Sequence, residues 1–101
     1  MKTKDTIVSL ASPSGVSAVS VVRCSGTDVQ TIIKKFFKKD LEDRIATYID
    51  FIDKKNVIDD VVAIFYKGPR SFTGEDMLEI LCHGGPIIYQ TIISSIASIE
   101  E

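Results

Sequence analysis

With 101 residues, of which 45% are hydrophobic and 26% charged, the chain has room for one domain over residues 1–101 and is too apolar to be disordered. Its longest apolar stretch, residues 87–99, is broken by five polar residues and is shorter than the roughly 20 needed to span a bilayer, so no membrane segment is expected. A net charge of −2 gives no basic field for nucleic acid, and two isolated cysteines without a signal peptide predict a reducing, cytoplasmic setting.

Two strands open the chain. Residues 6–11 and the valine-rich residues 18–24 have the composition of strands, because β-branched side chains fit a pleated surface. Residues 12–15, with the sequence Ser-Pro-Ser-Gly, predict the turn between them, because proline and glycine interrupt a strand ladder.

A helix is predicted next, over residues 27–39. Thr27 and Gln30 have the spacing of a capping box, in which each side chain bonds to the other residue's backbone amide. The apolar residues that follow recur at helical spacing and form one stripe: Val29, Ile32, Ile33, Phe36 and Phe37.

The second half is predicted to hold three strands and a helix. Residues 44–53 and 57–66 form a hairpin around residues 54–56, and residues 77–82 form a further strand. A last helix begins at Pro86, with a buried stripe at Ile88, Ile92, Ile96 and Ile99. About five strands and two helices predict an α/β domain of the α+β type, a two-layer sandwich with a mixed sheet.

The strand at residues 77–82 carries one acid among apolar residues. Alternation places Glu79 on one face with two apolar neighbours and gives the opposite face to apolar residues only. We therefore interpret the strand as central and covered on both sides, where Glu79 requires a cationic partner or a hydrogen-bonding ligand. The alternative, a Glu at a strand end that reaches solvent or caps an amide, stays open.

Arg23 raises the same question on the second strand. Its planar guanidinium suits two parallel hydrogen bonds to a carboxylate or to a carbonyl-rich ring. The alternative is an ordinary strand-end arginine whose head group reaches water.

Other candidate residues are more simply explained as structural. Thr73, Gly74 and Glu75 form a turn with its own acceptors, without the spacing of a calcium loop. Cys82 and His83 are adjacent, so they point to opposite faces of a strand and do not suit a nucleophile–base pair. We expect His83 to bond a loop carbonyl. No catalytic residue, metal site or nucleotide-binding glycine loop is predicted.

Two segments together resemble a known family. Residues 5–26 and residues 68–86, with the motif Gly-Pro-Arg-Ser-Phe-Thr-Gly-Glu-Asp followed by His-Gly-Gly-Pro, resemble the N-terminal domain of the MnmE (TrmE) family of bacterial tRNA modification GTPases. The resemblance implies a fold similar to the tetrahydrofolate-binding module of the glycine-cleavage aminomethyltransferase. It also implies a homodimer that binds 5-formyltetrahydrofolate or a related reduced folate through Arg23 and Glu79, with Thr73, Gly74, Glu75 and His83 as a possible supporting loop.

The resemblance further implies a larger protein with other partners. That protein acts with tRNA and the flavin-dependent MnmG (GidA) to modify the wobble uridine with a 5-carboxymethylaminomethyl-type group. Its GTP, Mg²⁺ and K⁺ sites belong to a GTPase domain outside these residues, so this chain is not expected to be an enzyme on its own.

One segment departs from the family pattern. Where the family has Gly-Arg-Gly-Gly, residues 15–18 are Gly-Val-Ser-Ala, and a later glycine is Ser20. Side chains at Ser17, Ala18 or Ser20 could crowd a ligand that approaches this backbone. The alternative function is therefore a dimerisation module whose folate site has decayed.

Overall fold

Five strands and two helices form in the part of the chain that the structure describes. The structure, a computed structural model, describes residues 6–12 and 18–99. The predicted α+β class, five strands and two helices are confirmed within these ranges. The elements are β1 (Thr6–Leu10), β2 (Val19–Gly26), α1 (Val29–Phe37), β3 (Thr47–Asp53), β4 (Asn56–Tyr66), β5 (Met77–His83) and α2 (Pro86–Ala97).

The strands form one sheet in the order β1-β2-β5-β4-β3. Every adjacent pair of strands is antiparallel, so the prediction of a mixed sheet was wrong. The reason lies in the connections. The link from β4 to β5 contains no helix that could return the chain to the starting edge, so β5 runs back beside β4. The α1 crossover leads from β2 to the far edge strand β3 and creates no parallel neighbours.

Both helices cover the same face of the sheet. α1 contacts β2 and β3, α2 contacts β1, β2, β4 and β5, and their apolar sides join the inward side chains of the strands in a single core. Within this core the Phe51 ring of the edge strand β3 stacks on Phe36 at 4.7 Å between centroids and meets Phe37 edge-on at 5.6 Å. The predicted stripe of α1 is buried throughout.

Strand β5 is the central strand, as predicted, but among the described elements the helices α1 and α2 cover only one of its faces. Leu78, Ile80 and Cys82 are buried in the core. On the opposite face Glu79 and Leu81 are only partly buried, so the interpretation of a strand covered on both sides was wrong. The apolar pattern was misleading because neighbouring strands bury much of a central strand without a second helix layer.

Helix α1 begins differently from the predicted capping box. Asp28 precedes its first residue and makes no side-chain capping bond within the helix. Instead the Asp28 backbone amide donates to Oγ1 of Thr6 at 3.0 Å, and the Thr6 hydroxyl donates to the Asp28 carboxylate at 3.1 Å. The helix start is thus held by strand β1, a partner that local spacing does not reveal.

The predicted hairpin and last helix are confirmed. Lys54 and Lys55 form the turn between β3 and β4 with φ angles of 52° and 70°, and Asn56 belongs to β4, paired with Asp53. Pro86 stands at the start of α2 as expected. Within the described ranges, no helix has both the length and the apolar character to cross a membrane.

Candidate ligand site on the open sheet face

The face of the sheet opposite the helices, here called the open face, carries the candidate residues. Strand alternation directs Arg23 and Glu79 to this face, and the register sets them directly opposite each other on the neighbouring strands β2 and β5. Directly opposed side chains in antiparallel strands have Cβ atoms about 5 Å apart. The fold therefore brings together two residues that lie far apart in sequence.

Arg23 and Glu79 form an ion pair. The Arg23 Nη2 and Nε atoms donate to Oε2 of Glu79 at 2.6 and 3.1 Å. The side chains are 36% and 17% exposed, so the carboxylate is mostly withdrawn from water and the guanidinium less so. The alternatives in which each residue separately reaches solvent do not hold. Because water and salt screen a pair this exposed, it contributes little to the free energy of folding. Its relevance to a ligand site comes instead from where it places the two charged groups on the open face.

Tyr66, which sequence analysis did not single out, completes this group. Its hydroxyl donates to Oε1 of Glu79 at 3.2 Å. Burial, and after it the neighbouring Glu79 carboxylate, raise the pKa of Tyr66, so the phenol stays protonated and keeps donating. Among the described residues no buried side-chain polar atom lacks a hydrogen-bond partner. The contacts from Arg23 and Tyr66 satisfy both carboxylate oxygens of Glu79 without any ligand.

The loop between β4 and β5, residues 67–76, borders this group. The Ser25 hydroxyl, two residues after Arg23 on the same face, lies 2.7 Å from the Thr73 hydroxyl and donates to Glu75 at 3.4 Å. The Phe72 ring centroid lies 5.9 Å from the Arg23 guanidinium carbon, and its side chain is 86% exposed. Thr73 and Glu75, two of the predicted loop residues, thus adjoin the site through Ser25, and sequence analysis missed Phe72.

The loop is fastened at both ends by Asp76. The Gly68 amide donates to the Asp76 carboxylate at 2.9 Å, and the Gly26 amide donates to the Asp76 carbonyl at 3.1 Å. Within the loop the Ser71 hydroxyl donates to the Glu75 carbonyl oxygen. These bonds hold the exposed Phe72 beside the open face.

Comparison with known proteins identifies the family. The family described as GTP-binding protein TrmE N-terminus matches residues 6–100. The chain is 43% identical over 95 residues to the tRNA modification GTPase MnmE of Francisella tularensis subsp. novicida and to that of Francisella philomiragia subsp. philomiragia. The chain belongs to the TrmE N-terminal family. In both comparisons the match covers 94% of this chain and 21% of the relative, so it corresponds to about a fifth of the relatives' length.

The residues that depart from the TrmE sequence pattern can be placed only in part relative to the candidate site. Residues 15–17 lie outside the described residues. Ser20 is buried on the helix-covered face, where it pairs with Cys82 in the register. Its side chain therefore points away from Arg23 and Glu79 and does not crowd a ligand on the open face.

His83 lies apart from the Arg23–Glu79 pair. It is four residues beyond Glu79 along β5, which is about 13 Å at the rise of a strand. Its Nδ1 lies 2.8 Å from the Asp59 carboxylate, and its backbone amide donates to the same carboxylate at 2.9 Å. The expectation of a loop carbonyl was wrong, because the neighbouring strand β4 supplies a carboxylate at that position.

Cys82 does not form a nucleophile–base pair with His83. Its thiol is buried in the core and donates to the Ser20 carbonyl at 3.5 Å. Burial raises the pKa of the Cys82 thiol to about 11, so the reactive thiolate is scarce near neutral pH.

We expect His83 to titrate above the ordinary histidine pKa near 6.5, because its hydrogen bond to Asp59 and the Asp59 charge raise the pKa. The folded state then binds the proton more tightly than the unfolded state. This contribution to stability is complete below about pH 6.5 and is lost as pH rises through the folded pKa. The imidazole NMR signal in metal-free buffer measures the pKa. Asp59→Asn should lower it, whereas Glu42→Gln should not, and equal values in both variants would refute the assignment.

One cavity, of about 630 Å³, lies away from the open face. Its lining mixes acidic and basic side chains, among them Asp28, Lys35, Asp53 and Lys54. It includes neither Arg23 nor Glu79. The candidate site on the open face therefore does not coincide with this cavity.

Proposed function

We propose that this chain binds a reduced folate, 5-formyltetrahydrofolate or a close relative, on the open face. The observation that carries the proposal is the ion pair of Arg23 and Glu79 in the middle of that face, beside the exposed Phe72. Membership of the TrmE N-terminal family supports the choice of ligand. Thr73, Gly74 and Glu75 would support the site, whereas His83 is too distant to contact the same ring.

The number of hydrogen bonds that Glu79 can accept favours a ligand that replaces one of its present donors and offers that donor a new acceptor. An ionised carboxylate has about four acceptor positions. Three donor contacts, two from Arg23 and one from Tyr66, already reach it. A pterin offers an amide N–H and an amino group side by side, so binding both requires one existing contact to be released. A ligand that also carries an acceptor for Arg23, at its ring carbonyl or its formyl-bearing edge, compensates for that release.

Phe72 provides the apolar part of the site. A side chain of this size that is 86% exposed leaves most of its ring in water. Flat rings gain from stacking on such a surface and on a neighbouring guanidinium. A planar heteroaromatic ring with hydrogen-bonding edges fits this combination better than a purely apolar or purely ionic ligand.

Calorimetry with 5-formyltetrahydrofolate tests the proposal. We expect the wild-type chain to bind and Glu79→Ala to lose about 1–3 kcal/mol of binding free energy, because ligand donors are left unpaired. Glu42→Ala, which removes an exposed carboxylate elsewhere, should bind as the wild type does. Circular dichroism of all three proteins checks that the fold is retained. Equal binding by wild type and Glu79→Ala would overturn the site.

A second candidate function is a homodimerisation module with a decayed folate site. Large apolar side chains exposed on the sheet favour self-association: Ile7 is 68% exposed, Val19 51% and Tyr48 72%. In this case sedimentation would reveal a concentration-dependent dimer, while 5-formyltetrahydrofolate would change neither the heat of mixing nor the melting temperature. Under the first proposal the same dimer forms and the ligand raises the melting temperature.

The wider role is proposed for the whole protein. The relatives are tRNA modification GTPases, so this domain would serve a cytoplasmic GTPase that modifies the wobble uridine of tRNA together with the flavin-dependent MnmG. The sites for GTP, Mg²⁺ and K⁺ would belong to other parts of that protein. This chain would contribute the folate and the dimer contact and would not be an enzyme on its own.

A further inference from the structure

We propose a binding site for a divalent transition metal ion, of the Zn²⁺ type, at Asp59, Asp60 and His83. This site lies on β4 and β5, away from the Arg23–Glu79 pair, and does not depend on the proposed folate function. It differs from the sequence prediction of no metal site. One imidazole nitrogen and two carboxylate oxygens lie within 4.8 Å of one another.

The spacing of the three donor atoms suits one ion. His83 Nδ1 lies 2.8 Å from Oδ1 of Asp59 and 3.7 Å from Oδ1 of Asp60. Two ligands on a tetrahedral zinc, each bonded at about 2.0–2.2 Å, are roughly 3.4 Å apart. These two distances lie about 0.6 Å below and 0.3 Å above this value. All three donor atoms lie within 4.8 Å of one another, so side-chain shifts of at most about 1.4 Å would bring them to ligand distance. The ion would replace the proton between His83 and Asp59.

Each carboxylate is already oriented through its other oxygen. The Oδ2 atom of Asp59 accepts the His83 backbone amide at 2.9 Å, and Oδ2 of Asp60 accepts the Tyr48 hydroxyl. The Oδ1 atoms of both are thereby directed toward His83. Hydrogen bonds that fix the free atom of a ligand are typical of metal centres, because they reduce the motion lost on binding. The Asp59 side chain is only 8% exposed, which further limits that motion.

Charge and space also favour a cation. Two carboxylates neutralise a divalent ion, and a third, Asp50, stands opposite Asp60 in the strand register. A cavity of about 240 Å³, lined by Val19, Tyr48, Val62 and Leu81 among others, adjoins Asp60 and His83. It leaves room for a water molecule in the fourth position. The imidazole donor selects transition ions over Mg²⁺ and Ca²⁺, which prefer oxygen ligands.

Titration of the untagged chain with Zn²⁺ by calorimetry tests the site. His83 is the sole histidine of the chain, so no other imidazole competes. We expect binding of one ion per chain, and at least a tenfold loss of affinity in both His83→Gln and Asp60→Asn. These two side chains are accessible, so both variants should fold, as circular dichroism checks. Asp59 is not the test residue because its carboxylate also holds a backbone amide.

Asp50→Asn is the matched control, since it removes a neighbouring charge without removing a ligand. It should change the Zn²⁺ affinity less than about threefold, as expected for a screened charge. The proposal is overturned if the wild type does not bind Zn²⁺ below millimolar concentration, or if His83→Gln binds it as tightly as the wild type. It is also overturned if Asp50→Asn and Asp60→Asn lose affinity equally, because the effect would then be one of general charge.

Discussion

Replacing Phe51 with alanine is expected to lower the free energy of unfolding by about 3–5 kcal/mol. Its side chain is fully buried and joins β3 to α1 by stacking on Phe36 and meeting Phe37 edge-on. Alanine would remove both ring contacts and leave a cavity that the rigid sheet closes only in part. Urea denaturation followed by circular dichroism measures the change.

Phe72→Ala is the matched control, because it removes the same ring from an exposed loop. Phe72 is 86% exposed, so its replacement should change the free energy of unfolding by no more than about 0.5 kcal/mol. The proposed folate site nevertheless requires this ring. If Phe51→Ala and Phe72→Ala were equally stable, the packing of Phe51 against Phe36 and Phe37 would be wrong.

Gly68→Ala is expected to destabilise the chain by about 1–3 kcal/mol, the usual range for overpacking. A Cβ at this position would lie 2.8 Å from the carbonyl carbon of Glu75 and 3.1 Å from the amide nitrogen of Asp76. Both are backbone atoms, so relief requires the two ends of the loop at residues 67–76 to separate. That movement would displace Phe72 from Arg23, so under the proposed function the affinity for 5-formyltetrahydrofolate should fall together with stability.

Denaturation and calorimetry of the same samples measure the two effects. Lys67→Ala alters the neighbouring exposed side chain and should change neither. Gly74→Ala measures the effect of backbone conformation without steric crowding. A Cβ at this position would meet nothing within 4 Å, but the φ angle of +81° is unfavourable for alanine. We expect about 1 kcal/mol there from the backbone alone. Wild-type stability in Gly68→Ala would contradict the close approach.

The sequence was most informative where short-range pattern determines structure. Strands, helices and the hairpin were predictable within a few residues, because alternation and helical spacing are local properties. Arg23 and Glu79 were identifiable since a charged group on an apolar strand needs a partner. The family of the chain was also recognisable, from the sequence motifs around Arg23 and Glu79.

The remaining features depend on which strands become neighbours. Thr6 holds the start of α1, Tyr66 completes the Glu79 group and Asp59 binds His83, and in each case the partner comes from another strand. Local spacing instead suggested a Thr27 capping box. The strand order that sets these pairs is a long-range property, and periodicity along one strand carries no information about it.

Because the candidate site needs both Arg23 and Glu79, it can form only after the strands that carry them, β2 and β5, have been synthesised. The two residues are 56 positions apart, and β5, which carries Glu79, is inserted between β2 and β4 in the finished sheet. A nascent chain would expose Arg23 from an early stage, yet its carboxylate partner would arrive only after four strands had been made. Closing so long a loop carries an entropic penalty that slows folding. The proposed ligand-binding surface would therefore be among the last parts of the domain to assemble, and a piece of the chain that ends before β5 could not present it.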